Sequence, residues 1–363
     1  MRSLFSNKKK WHGSDRWLLF ATVFLSIFGL LMVYDSSVAI AMRDFANQYY
    51  FVREQAKWLV VGIVACFFFS RVDYHVWQKF ALPLLFVTIA LLLAVFIPNF
   101  GVHALGARRW LNFGFFVLQP AELAKFSLVL YLSAWFCNPE KRRLASFLLL
   151  IAMVVGLVVA EPDLGTSIVL VGIAVVLYFA SGAPIRHFAL LFPVVFAAIV
   201  LLAFISPYRL RRLTTFVNPQ SDPLGASYQI RQVLLALGSG GMFGVGLGKS
   251  RQKYEYLPEA NTDSILAIIG EEIGFAGALV VISILLFIVW RGFRIARRAP
   301  DAFGRFFAIG VSSWIAIQTI LNLGSMVVLV PLTGVPLPFI SYGGSGLIIL
   351  LSAVGIVFNI SRQ

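Results

Sequence analysis

Residues 17–38 read WLLFATVFLSIFGLLMVYDSSV. The hydrocarbon core of a bilayer is about 30 Å thick, and roughly 20 apolar residues in a helix cross it. This run is long enough to do so. A basic segment (Lys8, Lys9, Lys10, Arg16) precedes it, and Ala39-Ile40-Ala41 follows it like a signal-peptide cleavage site. A signal peptide has an apolar core of only about 7–15 residues, so the stretch reads as a retained first membrane helix.

Nine more runs of the same kind follow: Ala56–Ser70, Val76–Ile97, Gln119–Cys137, Leu144–Glu161, Gly165–Ser181, His187–Ile205, Asp263–Trp290, Gly304–Val330 and Pro338–Ile360. The expected fold is all-α, a polytopic integral membrane protein with about ten transmembrane helices. Residues 1–363 form a single membrane domain, with 1–16 as an N-terminal segment and 206–262 as a large loop between helices 7 and 8. Composition agrees. The chain is 60% hydrophobic and 13% charged, where soluble domains run at about 45–50% and 25%.

The net charge of +14 does not point to nucleic acid, because the positives sit in short segments between apolar runs. The N-terminus, the even-numbered loops and the C-terminus carry 17 Lys/Arg, against five in the short odd-numbered loops. By the positive-inside rule both termini are cytoplasmic and residues 206–262 lie outside. Cys66 and Cys137 lie in apolar runs, and the four histidines are scattered. Neither set has the spacing of a metal or redox site.

Charge inside a membrane is costly and marks function or a structural pair. Glu122 and Lys125, at i and i+3, share a helix face, as an internal ion pair or as the wall of a polar cavity. Glu271 and Glu272 are adjacent, hence about 100° apart, so at most one faces a given cavity. Asp163 stands before a span, where Asp is a common N-cap. Asp263 is expected in the first turn of its helix, capped by Asn261 or Thr262, where the dipole favours a carboxylate.

The outer loop carries seven cations (Arg209, Arg211, Arg212, Arg231, Lys249, Arg251, Lys253) against three acids. Residues 228–237 have the pattern of a short interfacial helix, and the Gly238–Gly248 run reads as a hinge. Gly244–Ser250 imitates a phosphate-binding P-loop, but that motif needs glycine five residues before Gly248-Lys249, and Phe243 is there. Lys249, Arg251 and Lys253 on a glycine backbone nonetheless suit a phosphate.

Six segments, in order, resemble the SEDS family (shape, elongation, division and sporulation) of FtsW/RodA-like proteins. They are Gly106–Leu111, Gln119–Lys125, Pro162–Thr166, Leu257–Asp263, Ile269–Glu272 and Pro338–Ser345. The chain departs from the family pattern at Asn261, Ser264 and Gly346, and Pro338–Ser341 is closer to FtsW than to RodA. The resemblance implies a peptidoglycan glycosyltransferase of the bacterial plasma membrane, working in division or elongation. Such an enzyme polymerises lipid II, a disaccharide-pentapeptide on undecaprenyl pyrophosphate, beside a class B penicillin-binding protein.

Asp263 is then the candidate catalytic base, or else a ligand to a divalent cation, Mg2+ or Mn2+; no organic cofactor is implied. Arg109, Lys125, Arg209, Arg212 and Lys249 are candidates for holding the pyrophosphate. Glu122, Asp163, Glu259, Glu272 and Ser341 are further substrate-binding candidates in the matching motifs. The expected partners are lipid II, the transpeptidase and membrane lipids. Two other classes compete: a lipid II flippase and a scaffold. A transporter places its site near the midplane, often between inverted repeats; here the polar motifs gather at the outer face without a repeat, which favours the enzyme.

Overall fold

The structure, a computed structural model, describes residues 14–98, 100–104, 107–114, 116–138, 143–205, 210, 214–216, 226–254 and 256–363. Arg209 and Arg212 lie outside the described residues. Eleven helices of at least 15 residues are described: α1 (Arg16–Phe45), α2 (Tyr50–Arg71), α3 (Tyr74–Ala94), α4 (Pro120–Phe136), α5 (Arg143–Ala160), α6 (Leu164–Ala180), α7 (Ile185–Ile205), α8 (Ala226–Gly240), α9 (Ile265–Arg298), α10 (Ala302–Met326) and α11 (Gly344–Arg362). All but α8 coincide with the ten predicted runs. By length and composition α1, α3, α9, α10 and α11 are each able to cross a membrane. The distribution of polarity is inverted relative to a soluble protein: Phe20 is 65% exposed, while Lys125 is 1% exposed. The chain is a polytopic, essentially all-α membrane protein.

The start of α1 and the end of α11 meet on one face, the face of the chain ends. Asp15 caps α1 through the Leu18 N–H, its own N–H donates to Ser361 Oγ at 3.2 Å, and its carboxylate pairs with Arg291 at 2.6 Å. On the same face Asp301 caps α10 and accepts from Tyr74 Oη and His75, which fastens the α2–α3 turn to the α9–α10 turn. On the opposite face lie the N-termini of α2, α4, α6, α9 and α11. α2 and α11 pack backbone to backbone, since a Cβ on Gly355 would stand 2.5 Å from the Cys66 carbonyl.

Three differences from the sequence reading have physical causes. Residues 101–118 form a small antiparallel sheet, β1 (Gly101–Ala104), β2 (Ala107–Asn112) and β3 (Val117–Leu118), where no strand was expected. The second helix starts six residues before its apolar run, because Glu54 and Lys57 extend it with an i,i+3 ion pair. The last helix starts at Gly344, not Pro338. Phe339 is left-handed (φ 66°), and the backbone of the preceding segment bonds to side chains of α2 and α10. That segment, residues 331–343, enters the bundle deeply enough that a Cβ on Gly29, in the middle of α1, would touch Ile340 Cα at 2.6 Å.

α9 is not one continuous helix. Gly274 has φ 75° and ψ −174°, so residues 265–273 and 275–298 are separate helical pieces. A break exposes carbonyls and N–H groups that a membrane interior cannot satisfy. The glycine run of the loop does so. Val245 and Gly246 donate to the carbonyls of Glu271 and Glu272, and Phe275 and Ala276 donate to the carbonyls of Gly241 and Met242. The run is therefore pinned rather than hinged. α8, the expected loop helix, packs along the first piece of α9, its Gly240 against Gly270.

Candidate active site

Residues 331–345 form a hub on the face opposite the chain ends, and most of the candidate residues converge on it. α10 contributes two amides one turn apart. Gln318 accepts from Lys125 Nζ (3.2 Å) and donates to the Pro336 carbonyl (2.8 Å). Asn322 donates to the carbonyls of Asp263 (2.8 Å) and Val335 (2.9 Å). Ser341 donates to the Thr262 carbonyl at 2.6 Å, and the Tyr342 N–H donates to the Asn261 carbonyl. The segment that ends in Asp263 is thus held by its main chain on two sides, with its side chain half-buried. Glu259, left-handed at φ 51°, accepts from Thr262 Oγ1 and braces the same turn.

Asp263 does not occupy the first turn of α9. The helix begins at Ile265 with Ser264 as its cap, so Asp263 stands one residue outside the cap.

Glu122 and Lys125 form a buried pair at 2.6 Å, with Lys125 over the Trp314 ring at 5.2 Å. The pair is internal and self-neutralising. It also lines the hub, because the Glu122 carboxylate lies against Gly346 at the start of α11. Asp163 caps α6, accepting from Thr166 N and Oγ1, and its second oxygen also takes Gln119 Nε2 at 3.3 Å. The Gln119 N–H in turn donates to Ser345 Oγ. Arg109, on β2, spends two donors on the main-chain carbonyls of Glu161 (3.2 Å) and Pro162 (2.6 Å). In this structure it fixes the α5–α6 turn.

Two candidates fall elsewhere. Glu272 is buried and accepts from the N–H groups of Gly248 and Ser250 and from Lys253 Nζ (2.9 Å). Glu271 accepts from Ser250 Oγ and from the N–H groups of Arg251 and Gln252. Both glutamates therefore grip one loop, contrary to the expectation that at most one faces a given cavity, because that loop wraps the broken turn of α9. Lys253 is not available to a phosphate: it is buried between Asp35 of α1 (2.7 Å) and Glu272. Lys249 and Arg251 remain exposed beside it.

The sequence reading passed over Gln55, Gln119, Glu161, Gln318 and Asn322. For Gln318 and Asn322 the signal is two amides at i,i+4 in an apolar run, which the cost of charge in a membrane does not mark. In the sequence Glu161 stands at the end of an apolar run. In the structure it lies in the turn between α5 and α6, 1% exposed, and neither carboxylate oxygen has a hydrogen-bond partner among the described residues. Burial, reinforced by Asp163 and only partly opposed by Arg109, pushes this carboxyl from 4.5 up to about 8. A folded-state value above the unfolded one means that stability falls with rising pH between the two, by roughly 1.4 kcal/mol per unit at most, and levels off above about 8. Glu161→Gln, a mimic of the neutral acid, is expected to flatten this fall when thermal melts are recorded from pH 5 to 8. An unchanged slope would show that Glu161 holds no such proton.

Among the described residues no group of three or more His, Cys, Asp or Glu is placed to hold a metal ion. A cation bound through one carboxylate and substrate phosphates needs no such group.

A family model described as "Cell cycle protein", covering FtsW, RodA and SpoVE, matches residues 16–363. The chain belongs to the FtsW/RodA/SpoVE family. Among relatives of this family, stage V sporulation protein E of Bacillus subtilis is 41% identical over 96% of this chain and 97% of its own length. A Geobacter protein named probable peptidoglycan glycosyltransferase FtsW is 39% identical, covering 97% of both chains. Solved structures agree. A chain from a peptidoglycan synthase complex, reported as coordinating polymerization and crosslinking, superposes with a TM-score of 0.79 at 27% identity, over 97% of this chain and 98% of that one. Thermus thermophilus RodA, a rod shape determining protein, gives 0.71 at 28% identity over the same shares. FtsW/RodA/SpoVE membership accounts for the six motifs.

Proposed function

We propose that the protein is a peptidoglycan glycosyltransferase that polymerises lipid II at the outer face of the bacterial plasma membrane, with both chain ends in the cytoplasm. The observation that carries this reading is the gathering of Asp263, the Glu122–Lys125 pair, Gln119 and Asp163 around residues 331–345. The N-termini of α4, α6, α9 and α11 open on the same face. Helix N-termini present unpaired N–H groups and partial positive charge, which suits a phosphorylated substrate. A lipid-linked sugar reaches a site at the level of the headgroups, and the 17-to-5 excess of positives makes that face the outer one.

In the proposed step the acceptor 4-hydroxyl attacks the anomeric carbon of the donor. The bond from that carbon to the pyrophosphate oxygen breaks, the hydroxyl proton passes to Asp263, and undecaprenyl pyrophosphate leaves with the electron pair. A divalent cation, if bound, would be held by Asp263 and would neutralise the leaving group. Likeness to a chain from a complex that couples polymerization to crosslinking supports a crosslinking partner, which we take to be a class B penicillin-binding protein. The FtsW and stage V sporulation relatives support work at a septum.

Purified full-length protein given lipid II, with and without that partner and with and without Mg2+ or Mn2+, is expected to yield glycan strands on a gel. Lipid II crossing proteoliposome membranes without any polymer would replace this reading by the flippase.

A further inference from the structure

On the face that carries the chain ends, α6, α9 and α10 line a half-open groove of about 290 Å³. Its walls are almost wholly apolar, with Val176, Phe179, Phe293 and Ala296 among them, and Arg297 and Arg305 stand in its lining. The size is at the small end of ligand pockets and suits a segment of hydrocarbon chain rather than a compact polar molecule.

The two arginines differ from Arg291 and Arg294, and of the exposed arginines in this turn they are the ones that line the groove, which Arg298 does not. Arg291 is committed to Asp15, and Arg294 lies over the Trp290 ring at 5.4 Å. The nearest acid in the α9–α10 turn, Asp301, is occupied by Gly304 N, Tyr74 and His75. Arg297 and Arg305 are exposed, and among the described residues neither side chain has an ion pair or hydrogen bond. An apolar groove lined by the stems of two arginines, whose charged ends are exposed to the surroundings, is complementary to an amphiphile with an anionic head. Guanidinium matches phosphate bidentately, and basic pockets between membrane helices on the cytoplasmic side take anionic headgroups.

We infer that this groove binds an anionic phospholipid, with part of one acyl chain between Phe179 and Phe293 and the headgroup phosphate on Arg297 and Arg305. Ordinary orientation charges would sit on a helix end without a slot beside them, and ordinary annular lipid would fill a slot without regard to its head. The two features together predict selectivity. The inference stands apart from the glycosyltransferase reading, since the groove lies on the face away from the hub.

The test is native mass spectrometry of the full-length protein in a neutral detergent, titrated with phosphatidylglycerol or with phosphatidylcholine of the same acyl chains. Retention of phosphatidylglycerol is expected to exceed that of phosphatidylcholine by about tenfold. Arg297→Gln with Arg305→Gln is expected to bring the ratio close to one. Val176→Trp, which fills the slot and keeps both charges, is expected to lower retention of phosphatidylglycerol, and it serves as the independent arm if the double variant does not fold. Equal retention of the two lipids by the unmodified protein overturns the inference, and so does a preference that survives Val176→Trp.

Discussion

Asp263→Asn is expected to slow lipid II polymerisation by roughly 10²–10⁴-fold, the usual contribution of a positioned general base, while the protein remains folded and still binds lipid II. The fold should survive because Asp263 is anchored by its carbonyl, which accepts from Asn322 at 2.8 Å, and its neighbour Thr262 by the bond from Ser341. Neither contact uses the substituted carboxylate. The expected signature is a loss in kcat with KM little changed. If Asp263 acts instead by holding a divalent cation, the same variant should regain part of its rate as Mg2+ or Mn2+ is raised, because an amide is a weaker ligand than a carboxylate. A purified Asp263→Asn protein that makes strands at the unmodified rate removes Asp263 from the chemistry.

Gly274→Ala is expected to be strongly destabilising, costing on the order of 4 kcal/mol or more. Its φ of 75° with ψ of −174° lies in a region that essentially only glycine enters, at a strain of about 1–3 kcal/mol for other residues. The added Cβ would stand 2.3 Å from the Gly244 nitrogen and 2.6 Å from the Met242 carbonyl oxygen. Both are backbone atoms and have nowhere to go. Moving them would loosen the four main-chain hydrogen bonds that close the break, each worth about 0.5–1.5 kcal/mol. Gly156→Ala is the control: it lies in α5 with nothing within 4 Å of its Cβ, so helix propensity should make it neutral or stabilising. The two variants should separate in thermal melts in detergent, and a Gly274→Ala protein that melts with the parent would mean that the break is not a fixed feature.

The helices were legible because each long apolar run has one low-cost state in lipid. The charged residues were legible as exceptions to those runs. What escaped was decided by distant partners. The break at Gly274 looks in sequence like one of three packing glycines, with Gly270 and Gly277, and only the docked loop tells it apart. Residues 338–343 are apolar enough to pass for the first turns of a span, although Pro338 and Gly343 are there to argue otherwise. The strands of residues 101–118 are two to six residues long, too short for alternation to register before pairing. Within the site, Asp263 and the Glu122–Lys125 pair could be named from the motifs, but that residues 331–345 join them could not, since the joining runs through uncharged amides and main-chain carbonyls.

The interruption in α9 also governs how the protein meets membranes of different thickness. The piece Phe275–Arg298 has 24 residues, about 36 Å at 1.5 Å per residue, enough to cross a hydrocarbon core of about 30 Å by itself. The first piece, Ile265–Ile273, is surplus to the crossing and is tied to the loop and the hub instead. Helices respond to a thicker or thinner bilayer by tilting or kinking, whereas the first piece of α9 and the turn at Gly274 are held to the loop by four main-chain hydrogen bonds. The distance between Asp263 and its surroundings is then set by protein contacts and not by the lipid, so one site geometry can serve across bilayers of differing composition.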